Sequence, residues 1–385
     1  MAVRVEVEPA LLEWAAERSR LERGVLVSRF PKLPEWEQRE TLPTLKQLEN
    51  YAHATHTPLG FLLLDAPPVD VVPIEDFRTM GDRRVSAPSV NLLDSVYACQ
   101  QRQDWYRDFA RTNGEDPLPF VGSLGLNVGI NEAAGAIAEA LSFTLADRRQ
   151  IGSWTAALDH LRDRAEALGV LVMISGVVGS DGHRKLDPTE FRGFALADDL
   201  APVVFVNGSD TKAAQIFTLV HELAHIWLGR TGVSDADLGS QVSDPVERWC
   251  NQVAAEVLVP STEIRDETFE PNNPVPHLDR IAKRFKVSTL VVLRRLFEVG
   301  KIDWVTYRRI YGVELARVVG LAAAGRKSSG GDFYNTNPVR VSKRFARALI
   351  ASTWEGHTLY RDATRLLGFK KLSTLDTLGE KLGVA

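Results

Sequence analysis

The chain has 385 residues, 44% of them hydrophobic, and a formal net charge of −4. That length suggests two or three globular domains, each able to bury a core. Two cysteines, Cys99 and Cys250, exclude a disulfide framework and a paired-cysteine metal site. The absence of an 18-residue apolar run and of a signal-like N-terminus points to a soluble, cytoplasmic protein with no membrane partner.

The small net charge hides an asymmetry. Residues 277–385 hold 21 Lys and Arg against 9 Asp and Glu, a net of +12. Residues 1–276 hold 25 against 41, a net of −16. A basic third on an acidic body implies that the two ends meet different partners or pair with each other.

Residues 9–20 read as a helix with Leu11, Leu12 and Ala15 inward, and Pro9 suits its first turn. A short segment follows around Val25 to Phe30. The stretch from Leu45 is amphipathic, with Leu45, Leu48 and Tyr51 or Ala52 on its core face. Trp36-Glu37 followed by Pro43-Thr44-Leu45-x-x-Leu48 resembles the second half of a Cro/repressor-like (Xre) helix-turn-helix. Where that family usually has Gly, this chain has Arg39. Residues 1–64 carry 8 Lys and Arg against 9 Asp and Glu. Phosphate contacts dominate DNA affinity, so packing or partner recognition is the favoured role here.

Residues 65–88 form a Pro-rich linker, and 89–150 a helical connector whose long helix, 89–112, carries Trp105, Tyr106 and Phe109. Leu118 to Gly129 is a loop punctuated by Gly and Pro. Asn131 is a cap for a second helix, Ser153 for a third that runs to Leu168.

The period then changes. Val170–Ser175, Gly193–Ala197 and Pro202–Asn207 are short β runs. They lead into the apolar run Ile216 to Gly229, which contains His221-Glu222-x-x-His225. Residues four apart share a helix face, so both imidazoles can point at one metal ion. Glu222 lies about 100° round from His221, where a general base for an attacking water belongs. The competing reading is a helix with two core histidines. Asn207 to Asp210 offers an N-cap cluster and Gly229 a C-cap. His183, in the polar loop 179–192, reads as a solvated residue rather than a third ligand.

A catalytic zinc needs three protein ligands and an open position. Beyond a polar loop at 234–245, residues 246–259 read as a helix with Glu247, Cys250, Asn251 and Ala254 on one face. Glu256 is nine residues from Glu247 and about 180° round, so one of these carboxylates at most reaches the zinc. Cys250 is chemically able to bind metal, but one turn from Glu247 it reads as packing beside the site.

Phe217-Thr-Leu-Val-His-Glu-Leu-Ala-His225, followed by Glu247-x-x-Cys-Asn-x-x-Ala-Ala-x-x-Leu-x-Pro260, resembles the ImmA/IrrE family of metallopeptidases over roughly residues 150–265. The resemblance implies zinc held by His221, His225 and Glu247, with Glu222 as base. It also implies a site-specific protease that removes a partner repressor, or a fused part of a toxin–antitoxin locus.

Residues 277–320 read as helix, tight turn at Val287-Ser288, helix: a second helix-turn-helix candidate carrying Arg294 and Arg295, or a pair bracing the peptidase domain. Within 321–385, a basic linker (321–331) precedes helices around Val341–Thr353 and Thr358–Leu367. Arg340, Lys343, Arg344 and Arg347 make a basic stripe suited to nucleic acid or an acidic partner.

These readings converge on an α+β, mostly helical chain. A small mixed sheet packs on the His221 helix in a peptidase domain at 151–270, flanked by helix-turn-helix-like parts. The expected function is a zinc endopeptidase acting on a repressor encoded nearby, with extended substrate laid along Gly193 and Phe194 or along Val204 and Phe205. The rival is a regulatory or antitoxin-like module that binds DNA, a toxin or another protein without cleaving it.

Overall fold

The structure, a computed structural model, describes residues 3–69, 71–76, 87–234, 244–324 and 332–384, the side chains of 321–324 excepted. Part of the Pro-rich linker, the polar loop after Ser234 and most of the basic linker lie outside the described residues. The chain divides into two compact units. One is Met1–Pro73 with Val85–Tyr97, the other Ile74–Arg84 with Ala98–Ala385.

The first unit begins with α1 (Pro9–Ser19), α2 (Arg23–Arg29), α3 (Leu33–Glu37), α4 (Leu45–Ala54) and a 3-10 turn, Leu59–Leu63. Leu11, Leu12, Ala15, Leu48 and Tyr51 fill its core, and the Tyr51 hydroxyl donates to the Leu12 carbonyl at 2.7 Å. Leu45, expected inward, is the first helical residue and stands exposed. Thr44 and Gln47 close a reciprocal capping box there. Arg39 takes φ +58°, the left-handed conformation for which glycine is the usual residue. The helix ahead of it, α3, is five residues long with Pro34 in its first turn. Little more than one turn occupies the recognition-helix position.

The second unit is built on a mixed sheet. Its elements are β1 (Glu75–Asp76), α5 (Val90–Thr112, from Ala98), α6 (Ile130–Ala140), α7 (Leu145–Arg148), α8 (Trp154–Ala167), β2 (Leu171–Ser175), β3 (Gly193–Leu196), β4 (Val203–Asn207), α9 (Lys212–Leu228), β5 (Gly232–Ser234) and α10 (Pro245–Leu258). The strand order is β1-β5-β3-β4-β2. The β2/β4 and β1/β5 pairs are parallel, and β3 runs antiparallel to both its neighbours. Every residue of β2, β3 and β4 is buried. Val172, Ile174, Ala195, Val204 and Val206 share one core with α8 and α9. On α5, Cys99 meets the Met173 sulfur, and the Gln103 amide donates to the Leu196 and Ala201 carbonyls. With both faces covered, the strands read as continuous apolar runs instead of alternating ones.

Thr211 caps α9, not the Asn207–Asp210 cluster, whose Asn207 side chain instead ties down the Phe191 carbonyl. Gly229 ends α9 in the left-handed conformation, as its position predicts. Gly129 rather than Asn131 precedes α6, and Ser153 caps α8 as expected. Asp244 caps α10 by accepting the Val246 and Glu247 amides at 2.8 and 3.0 Å. At the other end of α10 the buried Arg148 guanidinium donates to the Val257 and Leu258 carbonyls, closing a terminus that would otherwise leave acceptors unpaired.

The core runs on without a break through α11 (Ser261–Arg265), α12 (Pro274–Phe285), α13 (Thr289–Glu298) and the first half of α14 (Trp304–Ala324). Helices α15 (Phe333–Val341), α16 (Lys343–Trp354), α17 (Tyr360–Leu367) and α18 (Leu372–Leu382) complete the chain. Buried Glu166 of α8 accepts the Ser342 hydroxyl and the Lys343 amide at the start of α16, so this last part is tied to the sheet region. Among the described residues no helix is long and apolar enough to cross a membrane.

Candidate metal centre

Two elements bring the site together. On α9, His221 and His225 stand one turn apart on one face, both fully buried. Helix α10 packs against α9 and presents Glu247, whose own amide is held by the Asp244 cap. The two Nε2 atoms are 3.1 Å apart. Glu247 places Oε2 3.2 Å from His221 Nε2 and Oε1 2.9 Å from His225 Nε2. The three side chains offer ligand atoms within 4.8 Å of one another.

Such a cluster of lone pairs in a dry interior is costly unless a proton or a cation sits among them. Burial alone would raise the Glu247 carboxyl, but His221 and His225 outweigh it and hold the group down to about 2. Burial lowers His225, while Glu247 overrides burial at His221 and raises it. Two imidazoles and one carboxylate are the donor set of open catalytic zinc sites, so the residues present fit a divalent zinc ion.

Glu222 is beside this cluster and not in it. Burial pushes its carboxyl up to about 8, and Oε1 accepts the hydroxyl of Ser234 on β5. Ser234 escaped the sequence reading because Gly232-Val233-Ser234 is too short a run to signal a strand. Asn251, one turn past Glu247, bears on His221 and helps raise its pKa.

The remaining candidates fall away on geometry. Cys250 is buried, its thiol is pushed far up by that burial, and it contributes no donor to the cluster. Glu256 faces the other way, accepting the Ser261 amide at 2.9 Å and pairing with Arg295. Asp244 is spent on its cap. His183 is exposed in its loop.

Residues 165–297 match the family described as IrrE N-terminal-like domain, a peptidase family. This stretch is similar to the IrrE N-terminal-like domain. The radiation response metalloprotease IrrE of Deinococcus radiodurans is 33% identical over 133 residues, 33% of this chain. The chain spans 39% of that relative's length. Residues 341–381 match a domain family of unknown function. The IrrE-like region includes both the metal-site helices and the α12–α13 pair, in keeping with their shared core.

The expected substrate strands are corrected by the topology. Strand β3 is paired on both sides, by β4 and β5, and β4 lies between β3 and β2. Their backbone groups are already used, so neither Gly193–Leu196 nor Val203–Asn207 can receive an extended peptide edge-on. Phe194 and Phe205 are buried and stack on each other, centroids 4.8 Å apart, while Val204 is buried on the other face of the sheet in the core shared with α9. Gly193 serves packing: a Cβ there would lie 2.6 Å from Thr218 Cγ2, 2.7 Å from Glu222 Oε1 and 2.8 Å from the Phe205 carbonyl. Gly193→Ala is expected to destabilise the fold by roughly 1–3 kcal/mol, read by denaturant unfolding, because backbone blocks the way out. A change within error would mean that β3 can move off α9.

The basic residues are largely engaged inside the molecule. Arg295 is buried, donating to the Val259 carbonyl at 3.0 Å and pairing with Glu256 and Glu298. Arg294 pairs with Glu298 at 2.9 Å. Lys343 reaches Asp163 at 3.1 Å, Arg344 the Tyr106 hydroxyl at 2.8 Å, and Arg347 the Leu382 carbonyl at 3.0 Å. Arg340 is half-buried at the end of α15. The α12–α13 pair shares its core with the IrrE-like region's metal-site helices. Arg295→Ala is expected to cost about 1–3 kcal/mol of stability, because it leaves the Val259 carbonyl without its donor and the partly buried Glu256 without its cation. A loss of DNA binding at unchanged stability would instead restore the helix-turn-helix reading of α13.

Proposed function

We propose that this chain is a zinc-dependent endopeptidase acting at specific sites in a partner regulatory protein, a repressor encoded nearby in the cytoplasm. The observation that carries the reading is the convergence of His221, His225 and Glu247 with a second buried carboxyl, Glu222, set beside them. A zinc ion bound there supplies Lewis acidity toward a peptide carbonyl and acidifies water. Beside a bound dication, which favours its ionised form, Glu222 would accept the proton of the attacking water and return it to the leaving amine, while the Ser234 hydroxyl fixes the carboxyl's orientation. His221 and His225 keep their Nε2 atoms turned to the centre, and α9, which carries them, packs against β3, β4 and α10. The similarity to a radiation response metalloprotease supports a stress-linked regulatory target.

Burial favours one second reading. His221, Glu222 and His225 are 0% exposed and Glu247 1%. A module that holds metal to shape a recognition surface, as an antitoxin-like binder of a toxin, DNA or protein, needs no access to that centre. The test is incubation of the purified full chain with the neighbouring repressor, with and without chelator. Discrete, chelator-sensitive cleavage supports the peptidase; a stable complex with intact partner supports the binder.

A further inference from the structure

The C-terminal helices meet α5 along a cleft that the metal chemistry does not use. Two adjoining chambers, about 380 and 390 Å³, share Trp105, His357 and Thr358 in their walls. Trp105 and Phe109, both half-buried, stack at 5.3 Å and 17°, and Phe345 of α16 backs Trp105 edge-on. The opposite wall is the turn between α16 and α17. It is held in shape by the Ser352–Thr358 hydroxyl pair at 2.8 Å and by the His357 and Thr358 amides donating to the Ser352 carbonyl. Asp108 and Glu355 line the first chamber, which has no Lys or Arg in its wall; the nearest cation is exposed Arg111, 3.9 Å from Asp108. Asp104 and Asp362 line the second, where Asp104 already pairs with Arg107 at 2.9 Å and Asp362 has Arg361 and Arg365 at 3.8 and 4.0 Å, so the acidic character of the cleft rests on the first chamber. Leu359 stands 65% exposed at the lip.

We propose that this cleft binds a basic segment of a partner polypeptide. An aromatic wall beside carboxylates is suited to Arg or Lys, whose aliphatic stem packs on the rings while its charged head reaches the acids. A guanidinium that reaches Glu355 or Asp108 would make charge-assisted hydrogen bonds, stronger than neutral ones. The two chambers together hold several residues, and exposed Leu359 offers apolar contact that a small polyamine would leave unused. The turn's own hydrogen bonds mean that the wall is ordered before the peptide arrives. The α16–α17 arm of the cleft lies in residues 341–381, so this proposal gives that domain of unknown function a task.

The test uses the full-length chain and a fluorescein-labelled octapeptide of alternating arginine and glycine, followed by anisotropy. The expected result is saturable binding that weakens roughly tenfold or more in the Asp108→Asn, Glu355→Gln double variant. Both residues are exposed, and unchanged melting of the variant confirms its fold. Trp105→Leu, which keeps an apolar side chain against Phe345, should weaken binding as well. Equal affinity in the double variant, or no binding by the wild type, overturns the proposal. So does equal binding of the glutamate–glycine octapeptide, and so does complete displacement by spermidine at matched charge, which would make the cleft a small-polycation site.

Discussion

Glu222→Gln is expected to leave metal content, fold and partner binding unchanged while the effect on the partner falls 10²–10⁴-fold, about 3–5 kcal/mol on the barrier. The substitution keeps the oxygen that accepts the Ser234 hydroxyl, so the side chain has a reason to hold its place. It removes only the ability to take a proton. The carboxyl is outside the metal-binding triad, so zinc affinity has no direct dependence on it. A recognition module would be indifferent to the change. Cleavage of the repressor, or its cellular consequence, is to be compared between wild type and variant at equal zinc content. Equal effects there would remove the peptidase reading and leave the binder in its place.

The pair of imidazoles and the carboxyl were legible in the sequence because helix geometry acts locally. The spacing of His221, Glu222 and His225 fixes their relative angles on any helix, and the nine-residue separation puts Glu256 opposite Glu247. The same reasoning could not find Ser234 or the packing role of Gly193. Both depend on how β3 and β5 are laid against α9, a long-range matter of strand order. The expectation of an edge strand at Gly193 or Val204 failed for this reason: an apolar run identifies a buried strand but does not say which neighbours flank it. Strand β5 is the one next to Glu222, and its outer side is paired by Glu75 and Asp76 of β1. Two residues of strand leave no periodic signal to read. Charge misled in another way. The excess of Arg and Lys after residue 277 suggested an outward basic face, yet Arg295, Lys343 and Arg344 reach carboxylates at Glu256, Asp163 and Glu115 in the acidic part of the chain. The asymmetry in sequence is in part internal pairing in space.

Saturating zinc should stabilise the wild-type chain by about 4 kcal/mol when free metal exceeds the dissociation constant a thousandfold, and stabilise Glu247→Ala by far less. The reason lies in the donor geometry. Glu247 supplies both oxygens to the two ring nitrogens at 2.9 and 3.2 Å, so its loss leaves two neutral donors and no negative charge for a dication. Nothing nearby can replace it at low cost. Glu256 would have to abandon Arg295 and the Ser261 amide and turn half a revolution of α10, and Asp244 would have to uncap that helix. His221→Ala should behave alike, with the added loss of a buried ring. The measurements are zinc content by elemental analysis and denaturant unfolding with and without metal. Full zinc occupancy and an undiminished gain in Glu247→Ala would show that the ion is held elsewhere, and the α9–α10 crossing would then lose its claim to be the centre.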